Sequence, residues 1–172
     1  MITIRTENPQ DYEAIRELNN EAFGMENEAN LIEAIRNSTY FIKELSLVAE
    51  TNKKEIVGHI LFSKVTIETV NGPIVSLALA PMAVKLKFQN KGIGSSLVKE
   101  GLQVSGKLGY TSVIVLGHPS FYPKFGFVPA VSKGIRPPFN VSDDVFMVYE
   151  VKEHALENVN GIVKYPDAFS NV

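Results

Sequence analysis

Between Ile74 and Leu102 the chain changes its period. The apolar stretch that ends in Met82-Ala83-Val84 reads as a strand, and Phe88 to Gly94 is a polar turn carrying two glycines. Ile93, Leu97, Val98 and Leu102 then recur at helical spacing, with Gly109 placed as a C-terminal cap. Val113-Ile114-Val115-Leu116 follows as a continuous apolar run, the mark of a strand buried on both faces. A strand, a crossover helix and a second strand in this order make a parallel pair, because an antiparallel pair needs only a short turn. The chain must therefore build a sheet that holds at least one parallel step and is covered by helix.

The flanking segments are of another kind. Ile2 to Arg5 reads as a strand, and Asn8-Pro9 as the start of a helix that carries Tyr12, Ile15, Leu18, Ala22 and Phe23 to about Gly24. A second helix fits Glu26 to Arg36. Leu45 to Glu50, Ile56 to Ile67 and Ile74 to Val84 read as three strands, the last two joined at the hairpin signal Asn71-Gly72. Val145 to Val151 and Ile162 to Tyr165 give late strands. The predicted class is α/β (α+β), with a mixed, mostly antiparallel central sheet and helices on both faces. We expect one domain over 1–152, with 153–172 as a C-terminal extension packed on it.

Composition excludes several chemistries. With no cysteine among 172 residues, disulfides, zinc–thiolate sites and cysteine nucleophiles are ruled out. His59, His118 and His154 are too scattered for ligand spacing, so no metal is expected. A net charge of −2 gives no general pull toward nucleic acid or an anionic membrane. No run approaches 18 apolar residues, and the N-terminus lacks a basic stretch followed by an apolar one. The expectation is a cytoplasmic protein with neither a nucleic-acid nor a membrane partner.

The turn before the central helix carries the chemistry. Gly92 and Gly94 leave backbone N–H groups uncovered, and the first N–H groups of a helix point outward along a positive dipole end. An anion such as a pyrophosphate suits that end, and Lys91 adds attraction. The spacing is not a dinucleotide fingerprint, which would place a third glycine at Leu97, and no Gly-x4-Gly-Lys-Ser/Thr string occurs. Taken alone, a Gly-x-Gly pair is also what a tight turn requires.

The longer string Gln89-x-x-Gly92-x-Gly94, after the strand with Ala83-Val84, resembles the acetyl-CoA signature of the GNAT superfamily of N-acetyltransferases. A second match, Tyr122-Pro-Lys-Phe-Gly126-Phe127, resembles the tyrosine-x-x-x-Gly-Phe segment that follows the next core strand of that family. The run from Gly117 to Phe127 and the tail Tyr165-Pro166-x-x-Phe169 resemble a subset of small bacterial predicted acetyltransferases. The resemblance implies direct acetyl transfer from acetyl-CoA to a primary amine. It implies a bulged strand whose Met82, Ala83 and Val84 pair with the pantetheine arm, splayed from Val113–Leu116 to admit it. It implies a pyrophosphate cradle over Asn90, Lys91, Gly92, Ile93, Gly94 and Ser95, flanked by Gln89 and Ser96, with His118 beside the cleft. A homodimer is also implied.

Tyr122 stands where the family places its general acid, although the same ring could simply pack beside Phe121, Phe125 and Phe127. Glu28, on the helix that lines the acceptor side in the family, is the candidate base, with Glu26, Glu33 or a water as alternatives. The acceptor is expected to meet the segments Phe23–Tyr40 and Ser132–Asp144, which carry no diagnostic motif. A non-catalytic acyl-CoA-binding module of the same fold is the competing reading, and a third is an enzyme using another acyl donor or a hydroxyl acceptor.

Overall fold

The computed structural model describes residues 1–171; Val172, the last residue of the expected extension, lies outside them. Strand β1 (Ile2–Thr6) leads through a short 3-10 turn at Pro9–Asp11 into helices α1 (Tyr12–Phe23) and α2 (Asn27–Arg36). Strands β2 (Ser46–Thr51), β3 (Ile56–Thr69) and β4 (Gly72–Val84) form an antiparallel meander. Helix α3 (Ile93–Lys107) crosses over to β5 (Ser112–Leu116), which lies parallel to β4. The chain ends in β6 (Val128–Pro129), β7 (Ile135–Arg136), β8 (Phe146–Glu150) and β9 (Gly161–Lys164). The sheet order is β1-β2-β3-β4-β5-β8-β6, with β9 on β3 and β7 on β9.

Side-chain alternation along β3 sorts the layers. Ile60 and Phe62 face α3 and pack with Leu77, Leu79, Leu97 and Val113. Leu61, between them, faces α1 and α2 and packs with Ile15, Leu31, Ile32 and Ile35. A third cluster, with Val65, Ile67, Ala78, Ile114 and Val163, fills the end of the sheet where β9 joins. Each fully buried Ile, Leu or Phe contributes about 1.5–3 kcal/mol.

Two departures from the sequence reading have simple causes. The β3–β4 loop is Val70–Asn71, one residue earlier than the Asn71-Gly72 signal, because Gly72 already pairs with Thr69. The Thr69 hydroxyl closes this loop by donating to the Gly72 carbonyl at 2.7 Å. Strands β6 and β7 have two residues each, too few to show a period. Strand β9 continues the edge of β3 past β2, pairing Thr66–Thr69 with Gly161–Lys164, and so draws the C-terminal segment into the same sheet.

Candidate active site

The site begins where β4 leaves β5. The two strands pair only at Leu77 with Val113 and Ala78 with Ile114. Beyond that point the register of β4 against β3 slips between Ile60 and Phe62, so that Ala80 and Pro81 together oppose Leu61. This is a bulge, and proline suits it because the extra residue needs no ladder donor. Past the bulge, β4 bends away while β5 stays paired with β8 along its full length.

Hydrogen-bond alternation then decides which backbone groups face the gap. The Lys85 N–H donates to the Val57 carbonyl at 2.8 Å, so Lys85 and Val57 are a bonded pair. In an antiparallel ladder the next pair, Val84 with Gly58, is non-bonded, and so is Met82 with Ile60. The N–H groups of Met82 and Val84 therefore point away from β3, into the space β5 has vacated. The Val84 carbonyl points the same way and accepts a hydrogen bond from Gln89 Nε2 at 3.0 Å.

Helix α3 opens onto the same space. Gly92 is its N-cap at φ +85, in the left-handed region where glycine costs nothing. The first helical bond runs from the Ser96 N–H to the Gly92 carbonyl at 3.0 Å, which leaves the N–H groups of Ile93, Gly94 and Ser95 without a backbone acceptor. Gly94 looks across at the Met82 methyl and the Phe121 ring, 3.7 and 3.8 Å from where a Cβ would stand.

Tyr122 forms the facing wall. It is 8% exposed, edge-on to Phe121 at 5.0 Å and to Phe127 at 5.5 Å. Its ring lies so close over Gly117 that a Cβ there would collide with it. Among the described residues the Tyr122 hydroxyl has no hydrogen-bond partner, and burial pushes its pKa up to about 12. The phenol is thus fully protonated at neutral pH. His118 lies at the exposed mouth, and its carbonyl takes the Phe121 N–H at 3.2 Å.

These groups line one cleft of about 1750 Å³ that runs on past α2. There Glu28 enters it from the first turn of α2, with one carboxylate oxygen shielded from solvent and unpartnered among the described residues. The far end of α2 is held by Arg36, which grips buried Glu7 through two bonds of 2.9 and 3.0 Å. The Ser46 hydroxyl donates to the same carboxylate at 2.7 Å and lies 3.0 Å from His59 Nε2. A hydroxyl has one proton to give, so His59 must carry its own on Nε2. His59 is fully buried, and burial together with the Arg36 charge holds its pKa down at about 3. His59 is thus a neutral core residue behind the site, while His154 lies on the surface.

Of the residues singled out above, Met82, Ala83, Val84, Gln89, Asn90, Gly92 and Ile93 line the cleft, as do Gly94, Ser95, His118, Tyr122 and Glu28. Lys91 and Ser96 do not; the Lys91 ammonium sits 5.5 Å from the centre of the Phe88 ring. Glu33 pairs with Arg16 at 2.8 Å on another surface, and Glu26 also lies off the cleft. Phe139, Tyr165 and Phe169, by contrast, form a wall of the cleft that periodicity did not reveal. The signals were the Tyr165-Pro166-x-x-Phe169 tail and the expectation that Ser132–Asp144, which holds Phe139, meets the acceptor.

Comparison with known proteins agrees with this architecture. Residues 42–129 match the acetyltransferase (GNAT) domain family. The uncharacterized N-acetyltransferase YhbS of Escherichia coli K12 is 31% identical over 167 residues, covering 97% of this chain and 98% of its own length. The crystal structure of YhbS from E. coli in complex with CoA superposes with a TM-score of 0.91 over 98% of this chain and 92% of that one. A GNAT acetyltransferase from Brucella melitensis, in complex with acetyl-CoA, is 29% identical with a TM-score of 0.80, covering 98% of each chain. With family, sequence and fold in agreement across nearly its whole length, this chain belongs to the GNAT acetyltransferase superfamily.

Proposed function

We propose that the protein transfers the acetyl group of acetyl-CoA to a primary amine, in a single direct step within this cleft. The observation that carries the reading is the gap between β4 and β5. Its wall offers the unpaired N–H groups of Met82 and Val84, and its end offers those of Ile93, Gly94 and Ser95. The first set suits an extended, amide-bearing arm added like a strand to a sheet edge. The second suits a pyrophosphate at a helix N-terminus.

Acetyl-CoA supplies an activated thioester, and the chain supplies the rest. The Met82 N–H, the strand donor farther from the pyrophosphate end, donates to the thioester oxygen as charge gathers on it; losing such a donor typically costs about 10²–10³ in rate. Glu28, or water beside it, takes the proton that makes the amine a nucleophile. The nitrogen forms the new C–N bond as the C–S bond breaks. The Tyr122 hydroxyl donates to the departing sulfur, and the second proton shed by nitrogen makes good what sulfur receives. Because the pKa of Tyr122 lies above the roughly 8.5 of a thiol, its first service is as a hydrogen-bond donor to the thiolate.

The test is thiol release from acetyl-CoA with a panel of amines, in the native protein and in Tyr122→Phe. We expect turnover in the native protein. The variant should lose about 10² or more in kcat with unchanged affinity for acetyl-CoA. Binding without turnover of any amine would leave an acyl-CoA-binding module instead.

A further inference from the structure

The acceptor half of the cleft has its own chemistry. It is lined by Phe23, Glu28 and Leu31 from α1 and α2 and by Phe139, Tyr165 and Phe169 from the late segments, with Phe169 packed against the cluster that holds Leu31. Phe139 and Tyr165 stack, with ring planes 20° apart and centroids at 6.0 Å, and Phe169 abuts Tyr165 at 5.0 Å. Phe139 is backed edge-on by fully buried Phe146 at 6.0 Å. The rings thus form a supported shelf, yet Phe139 remains 41% exposed and Phe23 38% exposed. Flat apolar surface held open inside a cleft suits a flat apolar ligand.

The charges select further. Glu28 presents a shielded carboxylate oxygen with no partner among the described residues, a loss that an ammonium would repair. Glu68, which also lines the cleft, has Lys164 3.9 Å away. One unmatched carboxylate serves one ammonium, whereas a polyamine or aminoglycoside would call for several. Among the described residues no arginine lines the cleft, and its two lysines are already engaged, Lys164 3.9 Å from Glu68 and Lys124 4.3 Å from the centre of the Phe121 ring, so no guanidinium fork awaits the carboxylate of an amino acid.

Resting on the transferase reading above, we propose that the acceptor is an arylalkylamine, its ring against Phe139 and Tyr165 and its single primary ammonium at Glu28. The 3-10 segment Asp167–Asn171 belongs to the specificity apparatus, because Phe169 buttresses the shelf.

The test uses the full chain at saturating acetyl-CoA and compares 2-phenylethylamine, spermidine, glycine and a short peptide with a free N-terminus. We expect kcat/KM for 2-phenylethylamine to exceed each of the others tenfold or more. Phe139→Ala should raise its KM about tenfold, with acetyl-CoA affinity and melting behaviour close to native. Glu28→Gln should raise the same KM and abolish the preference for amines over the matching alcohols as ligands. Equal or better use of spermidine or the peptide, or an unchanged KM in Phe139→Ala, would overturn the acceptor assignment while leaving the transferase reading standing. Failure of acetyl-CoA itself to bind would overturn both.

Discussion

The Gln89 side chain reaches back to the Val84 carbonyl at 3.0 Å and closes the turn between β4 and α3. Gln89 therefore holds two sets of donors in register: those along the strand edge and those at the helix start. One N–H of its amide is thus engaged by the chain, and we propose that Gln89 acts as a positioning residue. Gln89→Ala removes one hydrogen bond worth about 0.5–1.5 kcal/mol and should weaken acetyl-CoA binding roughly two- to tenfold, measured by titration. A variant with unchanged affinity would show that the turn holds its shape without the side chain.

Gly92 separates charge from backbone strain. Asp and Asn have nearly the same shape, and both tolerate the left-handed conformation that Gly92 adopts better than other side chains do. Open space surrounds its Cβ position. Gly92→Asn should bind acetyl-CoA within a few-fold of native, and Gly92→Asp at least about tenfold more weakly, the difference shrinking in high salt. Equal affinities in the two variants would remove the pyrophosphate from this helix end.

Gly117 sets the place of Tyr122 without touching the reaction. A methyl group at Gly117 would displace the Tyr122 ring. Gly117→Ala should lower kcat about tenfold or more while the fold and coenzyme affinity persist, read from thiol release and thermal melting. A fully active Gly117→Ala would mean that the position of Tyr122 is not critical.

His59 predicts the acid side of the stability curve. In the fold it is neutral down to about pH 3, whereas unfolded it takes a proton near pH 6.5. Stability from this group is complete above pH 6.5 and is lost as pH falls toward 3, at about 1.4 kcal/mol per pH unit. Urea unfolding at pH 6.5 and pH 5 should differ by about 2 kcal/mol, before Asp11 and Glu50, held low by Arg5, begin to titrate. His59→Gln should flatten that interval; an undiminished slope would place its source elsewhere.

The β4–α3 half of the cleft, which we assign to the coenzyme, was legible as a strand-to-helix turn because its signals are local. Glycines at a strand-to-helix turn, an apolar β5 and a tyrosine a few residues beyond it lie within about one crossover unit, and each has a period or a conformational demand of its own. The aromatic shelf was not legible. Phe139 and Tyr165 meet only because β9 returns to pair with the far end of β3, a long-range event that no local pattern announces. That the Lys91 ammonium stands 5.5 Å from the centre of the Phe88 ring was not legible either, since side-chain direction at a turn depends on φ and ψ that composition does not reveal. The engagement of Gln89 with Val84 was hidden for the same reason.

The most direct measurement of the central claim is calorimetric titration of the protein with acetyl-CoA. The account predicts saturable binding at one site per chain, weakened in Gly92→Asp and retained in Tyr122→Phe. No detectable binding, or binding indifferent to Gly92→Asp, would contradict the assignment of this cleft to acetyl-CoA.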